Sequence, residues 1–224
     1  MLFLAVFCGF LAENQREHMV ENRREKEFMR SLIEDLETDT ANINSAIYLG
    51  EIVRARNEKL ISFINNENIK DSVEKFYQLN ISVGKVVEVD FEDRTSSQLK
   101  NGGNMRLVRN KNAADSIRKY WESVKVMEDI KERLEQLRLR ATDVSVQIFH
   151  NKYLKYSDPH NPRSDISIIP GAKLITNDPA LLALYSNRRQ NTLTVLNNYM
   201  RNMETIKAQA TSLIAIIKTA YHFK

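Results

Sequence analysis

The sequence predicts an all-α chain: an elongated, up-and-down antiparallel helical bundle, four-helix-like, following an N-terminal membrane-anchor helix. Three observations predict it. Apolar residues recur at three-and-four spacing through three long stretches, the pattern of helices that each bury one stripe. All four prolines, Pro159, Pro162, Pro170 and Pro179, fall in one region, so residues 1–158 contain none to interrupt a helix. Only one segment alternates like a strand, and a lone strand leaves its ladder unpaired.

Composition agrees with that class. With 42% apolar and 28% charged residues over 224 positions, the chain can bury a core and is not disordered by composition. Six glycines are few for that length, so long helices meet few interruptions. The net charge of +4 is small and spread along the chain, and nucleic acid is not expected as a partner. Cys8 is the single cysteine, which excludes intrachain disulfides and thiolate metal clusters.

The apolar run of residues 1–12 passes into charged helix formers from Glu13 onward without a proline, with Gly9 its only glycine. One continuous helix over residues 1–28 follows. Twelve helical residues reach about 18 Å, against a hydrocarbon core of about 30 Å. The run therefore reads as a partial membrane anchor whose span continues upstream of residue 1, contacting lipid. A short interfacial anchor and a secretory signal peptide are the other readings; the latter lacks a basic leading region and a small-residue cleavage pattern. Cys8 reads as a small apolar residue facing lipid. Residues 13–224 then form a single helical-bundle domain.

From Arg24 onward Phe28, Leu32, Leu36, Ile43, Ile47, Val53, Leu60 and Ile64 mark an amphipathic helix, with the repeat imperfect around Asp39 and Gly50. Asn65, Asn66, Glu67 and Asn68 close it. A shorter helix is expected over residues 71–83, burying Val73, Phe76, Tyr77 and Leu79, and an extended linker over residues 86–91. Thr95 with Gln98 forms a capping-box pattern, so a short helix starts there, and Gly102 and Gly103 end it. Asn110 or Asn112 caps the next helix, with Asp115 near its positive end. Ile117, Tyr120, Trp121, Val124, Met127, Ile130, Leu134, Leu137, Ala141, Val144 and Ile148 carry that helix to about Leu154. A loop over residues 156–177 exceeds the usual connection. Asp178 and Pro179 start the last helix in the favoured manner, and its stripe runs from Leu182 to Ala220.

Residues 21–36, Glu-Asn-Arg-Arg-Glu-Lys-Glu-Phe-Met-Arg-Ser-Leu-Ile-Glu-Asp-Leu, and residues 95–108, Thr-Ser-Ser-Gln-Leu-Lys-Asn-Gly-Gly-Asn-Met-Arg-Leu-Val, carry a resemblance. Together with the apolar start, the chain resembles an uncharacterised family of bacterial single-span membrane proteins, in which an element similar to the second run recurs. The layout is shared over most of the chain, and only these two runs are specific. The chain departs from the family in lacking its basic cytoplasmic stub and most of its span. The resemblance implies a single-pass protein with the bundle outside the cytoplasm, in the periplasm; the balanced charges after residue 12 do not set that orientation.

No chemistry-bearing motif is present. His18, His150, His160 and His222 are scattered without a metal-ligand spacing, and the acids Glu34, Asp35, Glu37 and Asp39 lack the Glu-x-x-His repeats of a di-iron bundle. No nucleophile elbow, phosphate loop or dinucleotide fingerprint occurs. No enzyme activity, cofactor or metal is expected. Lys100, Asn104, Arg106 and Arg109 beside the Gly-Gly turn are the candidate contacts for an anion or a partner. Against this stands a structural role, in which Arg106 and Arg109 cap carbonyls or pair with Asp115 and Glu92. Two function classes follow: a tethered sensing or protein-interaction module, and a structural or assembly subunit that exposes an apolar patch along residues 182–220 to an oligomer partner.

Overall fold

The computed structural model describes residues 2–66, 69–158, 160 and 165–223. Glu67 and Asn68 of the expected helix end, and Pro159 and Pro162 of the loop, lie outside them. Among the described residues there are five α-helices: α1 (Leu2–Asn66), α2 (Val73–Ser82), α3 (Arg94–Asn101), α4 (Lys111–Ile148) and α5 (Pro179–Tyr221). Strands β1 (Leu154–Tyr156) and β2 (Ile166–Ile168) pair antiparallel, Lys155 opposite Ser167. The all-α class holds; the small hairpin is an addition, made of strands too short to show alternation.

Helix α1 runs unbroken for 65 residues, joining the apolar start to the amphipathic stretch. The expected membrane span is corrected here: among the described residues no helix is long and apolar enough to cross a membrane. The reason lies in the sequence of α1, where Glu13, Arg16 and Glu17 follow the twelve-residue run within two turns. The single-pass anchor and the extracytoplasmic placement that depended on it lose their support. Phe3, Val6, Phe7, Phe10 and Leu11 are exposed on these first turns.

The chain divides into two compact units: Met1–Asn44 with Val89–Lys125 and Glu204–Lys224, and Ser45–Glu88 with Val126–Met203. In the first unit, acids of α1 organise the packing. Residues 89–93 have no sheet to take their N–H groups, and buried backbone donors must find acceptors. Asp39 Oδ1 accepts from the Glu92 N–H (2.7 Å), Asp35 Oδ2 from the Thr95 N–H (2.9 Å), and Asn42 Nδ2 donates to the Asp90 carbonyl (2.8 Å). These pairs descend along α1 as the chain advances, so the stretch runs back antiparallel to it. Glu25 Oε1 accepts from the Arg109 N–H (2.7 Å) and Asp39 Oδ2 from the Tyr120 hydroxyl (2.5 Å), which sets α4 parallel to α1 in this unit. The extended return of residues 89–93 is what permits two successive long helices to share a direction.

The capping box expected at Thr95 does not form. Helix α3 starts one residue earlier, and Thr95 Oγ1 is buried without a partner, while Asp35 takes the N–H. Its end is as expected: Gly103 adopts φ +62°, and a Cβ on Gly102 would lie 2.7 Å from the Gln98 carbonyl oxygen. Asn110, not Asn112, caps α4, its Oδ1 accepting from the Ala113 N–H at 2.9 Å. Asp115 lies beyond the first turn and pairs with Arg118.

The second unit is built on aromatic packing. Phe149 meets Phe76 at 4.6 Å and Tyr77 at 4.9 Å between ring centroids, with Tyr185 and Phe63 completing the cluster. Helix α4 stops at Ile148 and not near Leu154, because Phe149 leaves the helix to bridge Leu174 while its ring still turns inward. Tyr77 pins this exit: its hydroxyl accepts from the His150 N–H (2.8 Å) and donates to the Lys173 carbonyl (3.0 Å). Asp178 caps α5 as expected, accepting from the Leu181 N–H at 3.2 Å. Gly50 explains the break in the α1 stripe, since a Cβ there would lie 2.9 Å from Met200 Sδ on α5. The α5 stripe from Leu193 to Ile217 is buried within the chain's own units, so it offers no large open apolar patch.

Candidate functional site

The four residues singled out in the sequence lie in the first unit, and three of them are engaged by the chain itself. Lys100 Nζ sits 4.4 Å from the centre of the Trp121 ring, a cation over an aromatic face. Asn104 Nδ2 donates to the Gln98 carbonyl at 3.1 Å and so finishes α3. Arg109 bonds Glu21 Oε2 at 2.8 Å and also Asn22, while its N–H goes to Glu25. Arg109 thus follows the structural reading, with α1 as its partner in place of Glu92 or Asp115. Arg106 is exposed on the 3-10 turn Asn104–Leu107. Among the described residues no three His, Cys, Asp or Glu side chains gather as a metal site would require.

The arrangement with the clearest capacity for binding is a cavity of about 280 Å³ in the second unit. Val53, Val83, Val87, Leu134 and Leu196 give it apolar walls, and Lys85, Val86 and Glu88 form an exposed rim. Two polar groups deep in its lining stand out. Asn57, 1% exposed, spends its Nδ2 on the Val53 carbonyl of its own helix (2.9 Å), and its Oδ1 is buried without a donor. Arg189, 3% exposed, donates Nε to the Tyr185 hydroxyl (3.1 Å) and lies 5.1 Å from the centre of that ring. The hydroxyl in turn donates to Asn80 Oδ1, and burial pushes the Tyr185 phenol up, keeping its proton on.

The acids of the lining are already committed. Glu88 pairs with Lys131 at 2.9 Å and Glu135 with Arg138 at 2.5 Å, and the latter pairing holds the Glu135 carboxyl below its usual range. No carboxylate pairs with Arg189 among the described residues. No family model, curated protein or solved structure matches this chain. The site therefore rests on its own geometry. An apolar hollow with a few convergent polar groups is the ordinary form of a small-molecule site, and this one contains no nucleophile paired with a base.

The cavity was not found from the sequence, although a signal existed. The apolar stripe of α1 skips from Val53 to Leu60 and that of α5 from Tyr185 to Leu193, and Asn57 and Arg189 occupy the helical positions so skipped. A polar residue at a core position of two different helices marks a place where the core is not closed by apolar packing.

Proposed function

We propose that the chain is a non-enzymatic binding module whose second-unit cavity receives a small ligand, in a sensing or interaction role completed by a protein partner or a second copy. The observation that carries this is Arg189, a guanidinium 3% exposed in the lining of an apolar-walled cavity, held by the Tyr185 hydroxyl and ring and paired with no carboxylate among the described residues. A buried cation without an anion is costly, and the cavity beside it gives a place for a group that is not part of the chain. Within each unit we infer a helical bundle in which α5 runs antiparallel to α1, supported by Glu25 with Tyr221 and Glu37 with Lys218 in one, and by Asn65 with Ser186 and Gly50 beside Met200 in the other. The resemblance to the uncharacterised bacterial family stays part of this proposal. Its two specific runs are bonded to one another, the Thr95 N–H donating to Asp35 Oδ2 at 2.9 Å.

Fragment binding tests the reading. Ligand-observed NMR with neutral, anionic and cationic fragments of up to roughly ten non-hydrogen atoms, the size suggested by scaling from a 150 Å³ cavity that takes benzene, is expected to find binders to the wild type. Leu134→Trp, filling the hollow from its wall, should abolish that binding while leaving the helical circular dichroism unchanged. Absence of any binder, or binding indifferent to Leu134→Trp, would reject the site.

One observation favours the second class, an assembly subunit: the exposed side chains of Phe3, Val6, Phe7, Phe10 and Leu11. Self-association that sedimentation velocity detects in the wild type and that Phe7→Lys with Phe10→Lys removes would support it.

A further inference from the structure

The cavity's lining has an unbalanced charge, and the imbalance is deep in the site. Its six charged side chains are Lys85, Glu88, Lys131, Glu135, Arg138 and Arg189, four cations against two anions. Lys131 with Glu88 and Arg138 with Glu135 cancel in pairs, and Lys85 is exposed to water. Arg189 remains, 3% exposed, satisfied on one side by the Tyr185 hydroxyl and ring alone. A buried guanidinium is costly without an anion, and its planar fork matches a carboxylate through two parallel N–H···O bonds. The apolar part of the lining is Val53, Val83, Val87, Leu134 and Leu196, with Val86 at the rim.

We infer that the ligand of this cavity is an apolar monocarboxylate, a short aliphatic or arylaliphatic acid whose carboxylate lies on Arg189 and whose hydrocarbon body packs on the valine and leucine walls. The inference rests on the proposed ligand-binding role and adds the ligand's class. A single buried cation selects one negative charge, and the volume suits a body of six to eight carbons, taking roughly twice the benzene-sized 150 Å³ as the guide. Amines are excluded by the same charge, and a dianion would bring a second charge with no partner to meet it.

Isothermal titration calorimetry of the full chain with hexanoate, hexanamide and hexylammonium decides the matter. Hexanoate should bind at least about tenfold more tightly than hexanamide, its neutral counterpart of the same shape, as a charge-assisted hydrogen bond requires, and hexylammonium should not bind. In Arg189→Gln the preference for hexanoate over hexanamide should vanish. The wild-type comparison stands by itself if that variant does not fold. Equal binding of hexanoate and hexanamide would overturn the carboxylate assignment and leave the cavity a ligand site. Binding of none of the three by a folded wild-type chain would overturn the cavity's role as well.

Discussion

Asp39 is 2% exposed on a helix whose neighbouring stripe positions are Leu36 and Ile43. Burial raises its pKa from the ordinary value, outweighing the Tyr120 hydroxyl and the Glu92 N–H that favour the charged form. The folded chain therefore keeps that proton at a pH where the unfolded chain has released it. Stability contributed by this group is present below about pH 3.9, the unfolded value, and is lost as pH rises through the raised folded value. Asp39→Asn removes the titration while its amide oxygen can still accept from Glu92. In urea denaturation series run from acid to neutral pH, the wild type should lose stability relative to Asp39→Asn across that window, and the difference should level off above it. A constant difference at every pH would place the titration elsewhere. The buried acids also show where single residues were and were not legible. The imperfect repeat near Asp39 was visible as a fault in the stripe, but its cause was not, because the donors come from residues 53 and 81 positions away.

At the scale of elements, the long helices were legible and their joins were not. Three-and-four spacing located α1, α4 and α5 because each buries one stripe continuously, and Asp178 with Pro179 and Gly102 with Gly103 marked ends through local chemistry alone. The start of α3 was misplaced because a local pattern, Thr95 with Gln98, was overridden by a distant carboxylate. That substitution of partners has a measurable consequence. Thr95→Val removes only an unpartnered hydroxyl and should change unfolding free energy by less than about 1 kcal/mol, in either direction. Asp35→Ala strands the buried Thr95 N–H, while the exposed Arg94 returns to water, and should cost about 1–3 kcal/mol. A working capping box would reverse the order of those two losses. Gly50 makes a second element-scale case: Gly50→Val places a branched side chain against Met200 and should cost about 1–3 kcal/mol by overpacking, read from the same denaturation curves.

Across the whole molecule, α1, α4 and α5 each pass from one compact unit into the other without a break in the helix. Continuity of these helices predicts one unfolding transition by circular dichroism and by tryptophan fluorescence. Phe149→Ala, in the aromatic cluster of the second unit, should cost about 3–5 kcal/mol and should lower the midpoint seen by Trp121, which belongs to the first. A fluorescence midpoint left unmoved would show two independently folding halves. The arrangement within the first unit was the least legible, since the parallel direction of α1 and α4 there depends on the return of residues 89–93, whose bonds to α1 no local pattern announces.

Glu25 has a consequence for the helices that meet it. A single carboxylate oxygen receives both the Arg109 amide and the Tyr221 phenol, so the entry to α4 and the exit of α5 are indexed to one atom of α1. It works as a dowel through three boards. One alanine inserted into α5 after Ile206 would swing Tyr221 by about 100° around its axis, and the phenol would come free while every apolar position before the insertion kept its place.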